Sequence, residues 1–304
     1  MTLRPRILIV GVAGQVGREL QRSFSETGEI LARGRDTVDL AQPEQVRAAL
    51  RGIAPDVILN AAAYTAVDRA ESERDIARAV NAVGPAVLAE EALRLGALLV
   101  HYSTDYVFDG SKTTPWLETD APNPLNVYGA TKLDGERAIQ QVGGKYLIFR
   151  TSWVYGPHGK NFLFTMLRLG RERDRLNVVD DQIGAPTTSS ELADATRDVV
   201  TSVLNGESGT TADWAGLYHM SCGGSASWCG FARAIFARAG VLLDGKRPEV
   251  NPISTSEYPT PAKRPPYSVL SNEKLKAQFG VELRSWESAL DRTMKRLDVL
   301  DQRP

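Results

Sequence analysis

Apolar residues in the first half of the chain fall in short runs, separated by stretches where they recur every three to four positions. The runs "RILIVG" (6–11), "EILARG" (29–34), "DVILNAA" (56–62), "LLVHYS" (98–103) and "YLIFRTS" (146–152) read as strands. Between them, "GQVGRELQRSF", "PEQVRAALRG", "ERDIARAVNAVGPAVLAEEALRLG" and "GATKLDGERAIQQVG" read as helices. Nearly continuous apolar strands alternating with helices predict a parallel sheet covered on both faces. The right-handed crossover rule then makes the expected fold α/β, a doubly wound Rossmann-like sheet. Beyond about residue 155 the alternation loosens. "NVVDDQIGAPT" (177–187), "GLYHMSCGG" (216–224) and a proline-rich segment (248–266) alternate with helices such as "SWCGFARAIFARAG". The expectation is one domain from residues 1–155 plus roughly 188–222. A smaller, partly interleaved lobe would comprise roughly 156–187 and 223–304, with a ligand in the crevice between the two.

The turn "GVAGQVG" leaves the first strand and opens the first helix. Gly11 allows the tight turn, Gly14 lets backbone approach a pyrophosphate, and Gly17 lets the helix pack on the sheet. With Gln15 and Val16 between them, these residues present N–H groups and a helix dipole to phosphates. The first domain is therefore expected to bind a dinucleotide. The second strand runs into "ARGRDTVDL", where Arg33 and Arg35 stand in place of the acidic residue that binds a ribose 2′-hydroxyl. Guanidinium groups suit a 2′-phosphate, so NADPH is expected and NADH is the alternative. Asp39 and Leu40 follow as further contacts, with Asp39 able either to touch the adenine or to cap the next helix. In "NAAAYT" (60–65), Ala62, Ala63 and Thr65 would let the chain pass close to the cofactor or pack tightly against the sheet.

"HYSTDYVFDG" (101–110) ends the fourth strand, where ligands of doubly wound sheets bind, which places Ser103, Thr104 and Asp105 in the crevice. About twenty residues later, "NPLNVYGATK" sets Tyr128 and Lys132 four residues apart, on one helix face. Reducing a ketone needs hydride to carbon and a proton to oxygen. A phenol, with an ordinary pKa of about 10, becomes a usable acid–base group beside an ammonium. Thr104 would hydrogen-bond the substrate oxygen, and Lys132 would also bind the nicotinamide ribose.

Composition removes other classes. Of 304 residues, 42% are apolar and 24% charged, which is globular, and 36 Lys plus Arg against 37 Asp plus Glu leave no field for nucleic acid or a membrane. Cys222 and Cys229 fit neither a zinc site nor a disulfide framework. The amino-terminal apolar run is too short for a signal-peptide core, so a cytoplasmic location is expected.

Together these motifs resemble the extended short-chain dehydrogenases/reductases. More narrowly, "YSTDYVFDG", "NVYGATKLDGE", "RTSWVYGPHGKNF", "DDQIGAPT" and "KRPPYSVLSNEKL" resemble the dTDP-4-dehydrorhamnose reductases, from residue 6 to about 290. The resemblance implies reduction of C4 of dTDP-4-dehydro-β-L-rhamnose by NADPH or NADH, with Thr104, Tyr128 and Lys132 catalytic and Tyr128 the proton donor. It implies substrate contacts at Asp105, Trp153 and Arg264, with Lys263 beside Arg264 toward the diphosphate. Some members hold magnesium at a dimer contact. The expectation here is no metal, Glu19 and Glu191 being the candidates near those positions. Tyr64 stands where histidine is common in the family. Partners are expected to be the nucleotide sugar alone, in a monomer or homodimer. The alternatives are a nucleotide-sugar epimerase and a non-catalytic regulatory subunit similar to the β subunit of methionine adenosyltransferase.

Overall fold

A computed structural model describes residues 4–301. The first half runs β1 (Arg6–Val10), α1 (Gln15–Ser23), β2 (Glu29–Arg33), α2 (Pro43–Ile53), β3 (Val57–Asn60), α3 (Val67–Ala70), α4 (Arg74–Arg78), α5 (Gly84–Leu95), β4 (Leu98–Thr104), α6 (Val127–Val142) and β5 (Tyr146–Thr151). The second half adds β6 (Val154–Tyr155), α7 (Phe162–Glu172), β7 (Arg175–Val179), β8 (Ile183–Gly184), β9 (Thr187–Thr188), α8 (Ser189–Leu204), α9 (Thr211–Trp214), β10 (Gly216–His219), β11 (Ala226–Ser227), α10 (Trp228–Arg238), β12 (Glu249–Ile253), α11 (Glu273–Phe279) and α12 (Trp286–Asp301).

Six strands form one parallel sheet in the order β2-β1-β3-β4-β5-β10. The order reverses between β1 and β3, which opens a crevice at their carboxyl ends. All five strands read from the apolar runs are present, and β10 joins them from the segment "GLYH". Strand alternation divides the core. Ile7, Ile9, Leu59, Val100 and Phe149 face α1 and α8, while Leu8, Val10, Ile58, Leu99 and Ile148 face α2, α5 and α6. The seven residues of β4 are all buried, as expected for a central strand covered on both sides.

A second apolar cluster gathers α7, β7, α10, β12 and α12 around Leu163, Leu176, Phe231, Ile235, Val250 and Leu290. Its strands are short pairs: β7 with β12, β8 with β11, and β6 with β9. Both cysteines are buried and free. Among the described residues no helix is long and apolar enough to cross a membrane.

Local chemistry sets the helix ends that matter for the site. Asn126 caps α6, its side-chain oxygen accepting from Gly129 N–H at 2.8 Å. The same side chain donates to the Lys263 carbonyl at 2.8 Å, tying the proline-rich segment to the start of α6. Gly129 has no room for a side chain, because a Cβ there would lie 2.1 Å from the Tyr106 carbonyl oxygen. The first turn of α6 thus rests on the backbone just after Thr104. Between α4 and α5 the helix widens into one π-turn, Ala79–Val83. Such bulges re-aim side chains, and this one turns Asn81 inward.

Candidate active site

Gly11 adopts φ +84°, and a Cβ there would meet Ala62 N at 2.6 Å. At Gly17 a Cβ would lie 2.2 Å from the Gly11 carbonyl oxygen. Gly14, by contrast, meets only that same oxygen, at 3.3 Å, so its missing side chain leaves open space at the mouth of α1. No side chain caps α1 and no acidic residue stands in its first turn, which leaves its N–H groups and dipole for a phosphate. This cradle fits a dinucleotide. Gln15 is committed in part to Asn161, accepting at 2.8 Å. Arg33 closes β2 and makes no ion pair among the described residues, its side chain reaching only the Ala32 carbonyl at 3.0 Å. Arg35 is exposed and donates to Asp39 at 3.1 Å. Asp39 also accepts from Ala41 N–H at 3.0 Å, so it braces the loop before α2, while Leu40 is buried against Gly84.

The "NAAAYT" loop is clamped from the π-turn. Asn81, fully buried, accepts from Tyr64 N–H at 2.8 Å and donates to the Tyr64 carbonyl at 3.0 Å and to Thr131 at 3.2 Å. One side chain therefore holds the loop carrying Ala62, Ala63 and Thr65 against the helix carrying Tyr128 and Lys132. Tyr64 turns its hydroxyl to Glu73 at 2.5 Å.

Thr104 ends β4 and Asp105 opens the turn that follows it. The Thr104 hydroxyl donates to Asp105 at 3.0 Å, and Ser152 donates to the other carboxylate oxygen at 3.1 Å. Burial pushes the Asp105 carboxyl up to about 6, with hydrogen bonds from Ser268, Thr104 and Ser152 opposing the rise. Burial pushes the Tyr128 phenol up to about 12 against a bond with Thr104, and Asp105 adds to the rise. Tyr106 packs edge-on against Tyr128, ring centroids 5.8 Å apart.

Lys132 is buried and points at the central strand β4. Its Nζ donates to the Tyr102 carbonyl at 2.6 Å and lies 3.1 Å from His101 Nε2, and burial brings its pKa down to about 8. One turn further along α6, Glu136 is locked to Arg150 at 2.6 and 2.9 Å and to the Ser103 hydroxyl. Ser103, expected in the crevice, is thus spent on this buried pair. His101 and Asn60 were missed by the pattern of the chain. Their signal was a histidine inside an otherwise apolar buried strand.

Trp153 sits at φ +46°, a left-handed backbone unusual for a bulky residue, and stacks on Trp228 at 3.5 Å with the rings 4° from parallel. A Cβ on Gly184 would lie 2.4 Å from the Trp153 ring, which explains the glycine of "DDQIGAPT". Trp228 lines a cleft of about 880 Å³ together with Phe162, Val179, Ile253, Tyr258 and Arg264. Contacts therefore run continuously from Asp105 through Ser152 and Trp153 to this cleft. Arg264 reaches the cleft but is engaged by Asp68 in a two-pronged pair at 2.8 and 3.1 Å. Glu19 is buried and bonded to Arg22 and Arg296, both at 2.7 Å, while Glu191 pairs with Arg284 at 2.9 Å. These carboxylates are neutralised by guanidinium groups, a donor set that does not fit magnesium. Among the described residues no three acidic, histidine or cysteine side chains form a metal-binding group.

The model of the RmlD substrate binding domain matches residues 5–299. A dTDP-4-dehydrorhamnose reductase of Burkholderia thailandensis is 47% identical over 301 residues, 98% of this chain and 100% of the relative. The Escherichia coli K12 dTDP-4-dehydrorhamnose reductase is 45% identical over 298 residues, 96% and 97% of the two chains. Among solved structures, the Bacillus anthracis dTDP-4-dehydrorhamnose reductase in complex with NADP superposes with a TM-score of 0.88 at 38% identity, covering 97% of this chain and 100% of that one.

Proposed function

The chain belongs to the dTDP-4-dehydrorhamnose reductase family, and on that premise we propose that it reduces the C4 ketone of dTDP-4-dehydro-β-L-rhamnose to dTDP-L-rhamnose, the last step in making that nucleotide sugar. It is an NAD(P)H-dependent oxidoreductase. When bound, the dinucleotide supplies the hydride. Gly11, Gly14 and Gly17 with the mouth of α1 would hold its diphosphate, and Arg33 with Arg35 would take the 2′-phosphate of NADPH.

The single observation that carries the reading is the convergence of Thr104, Asp105 and Tyr128 at the carboxyl end of β4, beside the cradle and the cleft. Thr104 would donate to the C4 oxygen and fix the ketone. Tyr128, held as a phenol in its half-buried setting, would give its proton to that oxygen as carbon accepts hydride. When it carries a proton, Lys132 one turn away would stabilise the tyrosinate left behind. Tyr128 then regains a proton from solvent, which balances the reaction. Trp153 and Trp228 would close over the sugar, and the 880 Å³ cleft would take the nucleotide, with Arg264 exchanging Asp68 for a phosphate. The magnesium and dimer contacts of some family members form no part of this proposal.

The test is oxidation of NADPH and of NADH by the purified protein with dTDP-4-dehydro-β-L-rhamnose, the product identified by mass and sugar stereochemistry. Stoichiometric dTDP-rhamnose supports the reading. Isomerisation with no net oxidation, or cofactor binding without turnover, would replace it with an epimerase or a regulatory subunit.

A further inference from the structure

Asn60, His101 and Lys132 form a buried chain across β3, β4 and α6, each at most 1% exposed. The Asn60 side-chain oxygen accepts from Ala62 N–H at 3.2 Å, which fixes the orientation of the amide. Its nitrogen therefore faces His101 Nδ1, at 2.9 Å, and can only donate. A ring nitrogen that accepts carries no proton, so the proton of the neutral ring sits on Nε2. That nitrogen is 3.1 Å from Lys132 Nζ. An ammonium also can only donate, so an Nε2–H facing it sets two donors against each other. The consistent arrangement has Lys132 as a neutral amine that accepts from His101 and donates to the Tyr102 carbonyl. Protonating Lys132 then requires the ring proton to move to Nδ1 and the Asn60 amide to turn, losing the bond from Ala62 N–H.

We propose that Asn60 and His101 are positioning residues that set the proton affinity of Lys132 through a locked ring tautomer. The proposal rests on the reading above only in giving Lys132 a part in the reaction. Through Ala62 it also couples the charge on Lys132 to the loop beside the glycine turn. Other titratable groups on the elements around Lys132 are Glu136 and Arg150, paired with one another, Asp105 on the turn after β4, and the phenols of Tyr102, Tyr106 and Tyr128. Asp134 and Arg137 pair with each other at the exposed face of α6, and Tyr146 opens β5. The facing group from the π-turn is the neutral Asn81. Burial lowers the proton affinity of both His101 and Lys132.

Two substitutions change the tautomer logic by different routes. In Asn60→Asp the carboxylate accepts from His101 Nδ1–H and still accepts from Ala62 N–H, so Nε2 becomes an acceptor for an ammonium. In His101→Gln the amide turns its oxygen to Lys132. The measurement is an NMR titration of the Lys132 Cε signal in the cofactor-free protein, assigned with Lys132→Met. It is combined with ring ¹⁵N shifts of His101, one of only three histidines. The wild type should show the Nε2–H tautomer, and both variants should raise the lysine midpoint by about one pH unit or more, a tenfold gain in proton affinity. The basic limb of the pH–rate profile should move with it. A wild-type Nδ1–H tautomer would overturn the proposal, as would folded variants whose midpoints stay at the wild-type value. A midpoint that moves while the rate profile stays still would support the tautomer lock and refute the catalytic part given to Lys132.

Discussion

Tyr128 and Arg33 show how much a single side chain decides. Desolvation, which pushes the phenol of the half-buried Tyr128 up to about 12, favours its protonated form at neutral pH, which suits a proton donor. Tyr128→Phe should lower kcat by about 10²–10⁴, the range expected for a general acid, while NADPH affinity by fluorescence titration changes little. Arg33 has no carboxylate partner among the described residues, whereas Arg35 is shared with Asp39. Arg33→Ala should therefore raise KM for NADPH about tenfold, near 1.4 kcal/mol, and leave KM for NADH nearly unchanged. Steady-state kinetics with both coenzymes separate the two effects. The steric need for Gly11 and Gly17, and the helix that carries Tyr128 and Lys132, were legible because their reasons are local. Asn60 and His101 were not, since their meaning lies in a contact across three elements that spacing does not encode. The guanidinium partners of Glu19 and Glu191 were hidden in the same way. Arg296 lies far along the chain from Glu19 and becomes its neighbour only through packing.

Elements set the site by how closely they pack. The first turn of α6 lies against the backbone after β4 because Gly129 lacks a side chain, and the clash that a methyl group would bring is with a carbonyl that cannot swing aside. Gly129→Ala should shift the start of α6 and lower kcat/KM at least tenfold, with a drop in Tm of several degrees by calorimetry. Helices α2 and α5 are pinned by a different device. Glu91, its side chain buried, binds Arg51 at 2.7 Å and Arg94 at 2.8 Å. Hydrogen bonds from these arginines, Arg51 first, bring its pKa from 4.5 down to about 2. A carboxyl depressed on folding stabilises above its unfolded pKa, and that support is lost as pH falls from about 4.5 through 2. Glu91→Gln should cost about 1–2 kcal/mol in urea unfolding at pH 7, and the two proteins should converge as pH approaches 2. The strands and helices of the first half were readable because each carries its own period. The short pairs β6 with β9 and β8 with β11 were not, being two residues long and fixed by tertiary partners such as the Trp153 ring over Gly184.

At the scale of the whole molecule, charge is balanced in place. The carboxylates Glu19, Glu91, Glu136 and Glu191 all meet arginine. Addition of a chelator should leave both Tm and NADPH oxidation at their untreated values, and added magnesium should raise neither. A fall in either on chelation would show that the arginines give way to a metal. The parallel sheet has a further consequence, for synthesis. Its strand β10 pairs with β5 only after the chain has travelled from residue 151 to 216, through α7, α8 and the short strands between them. On a ribosome adding about 5–20 residues per second, Thr104, Tyr128 and Lys132 emerge several seconds before β5 receives its last neighbour. Through that interval β5 presents a bare, apolar edge, the kind of surface that templates pairing with another chain. The nascent chain therefore exposes that edge until residues 216–219 arrive, and slower translation between residues 151 and 219 should lower the yield of folded protein.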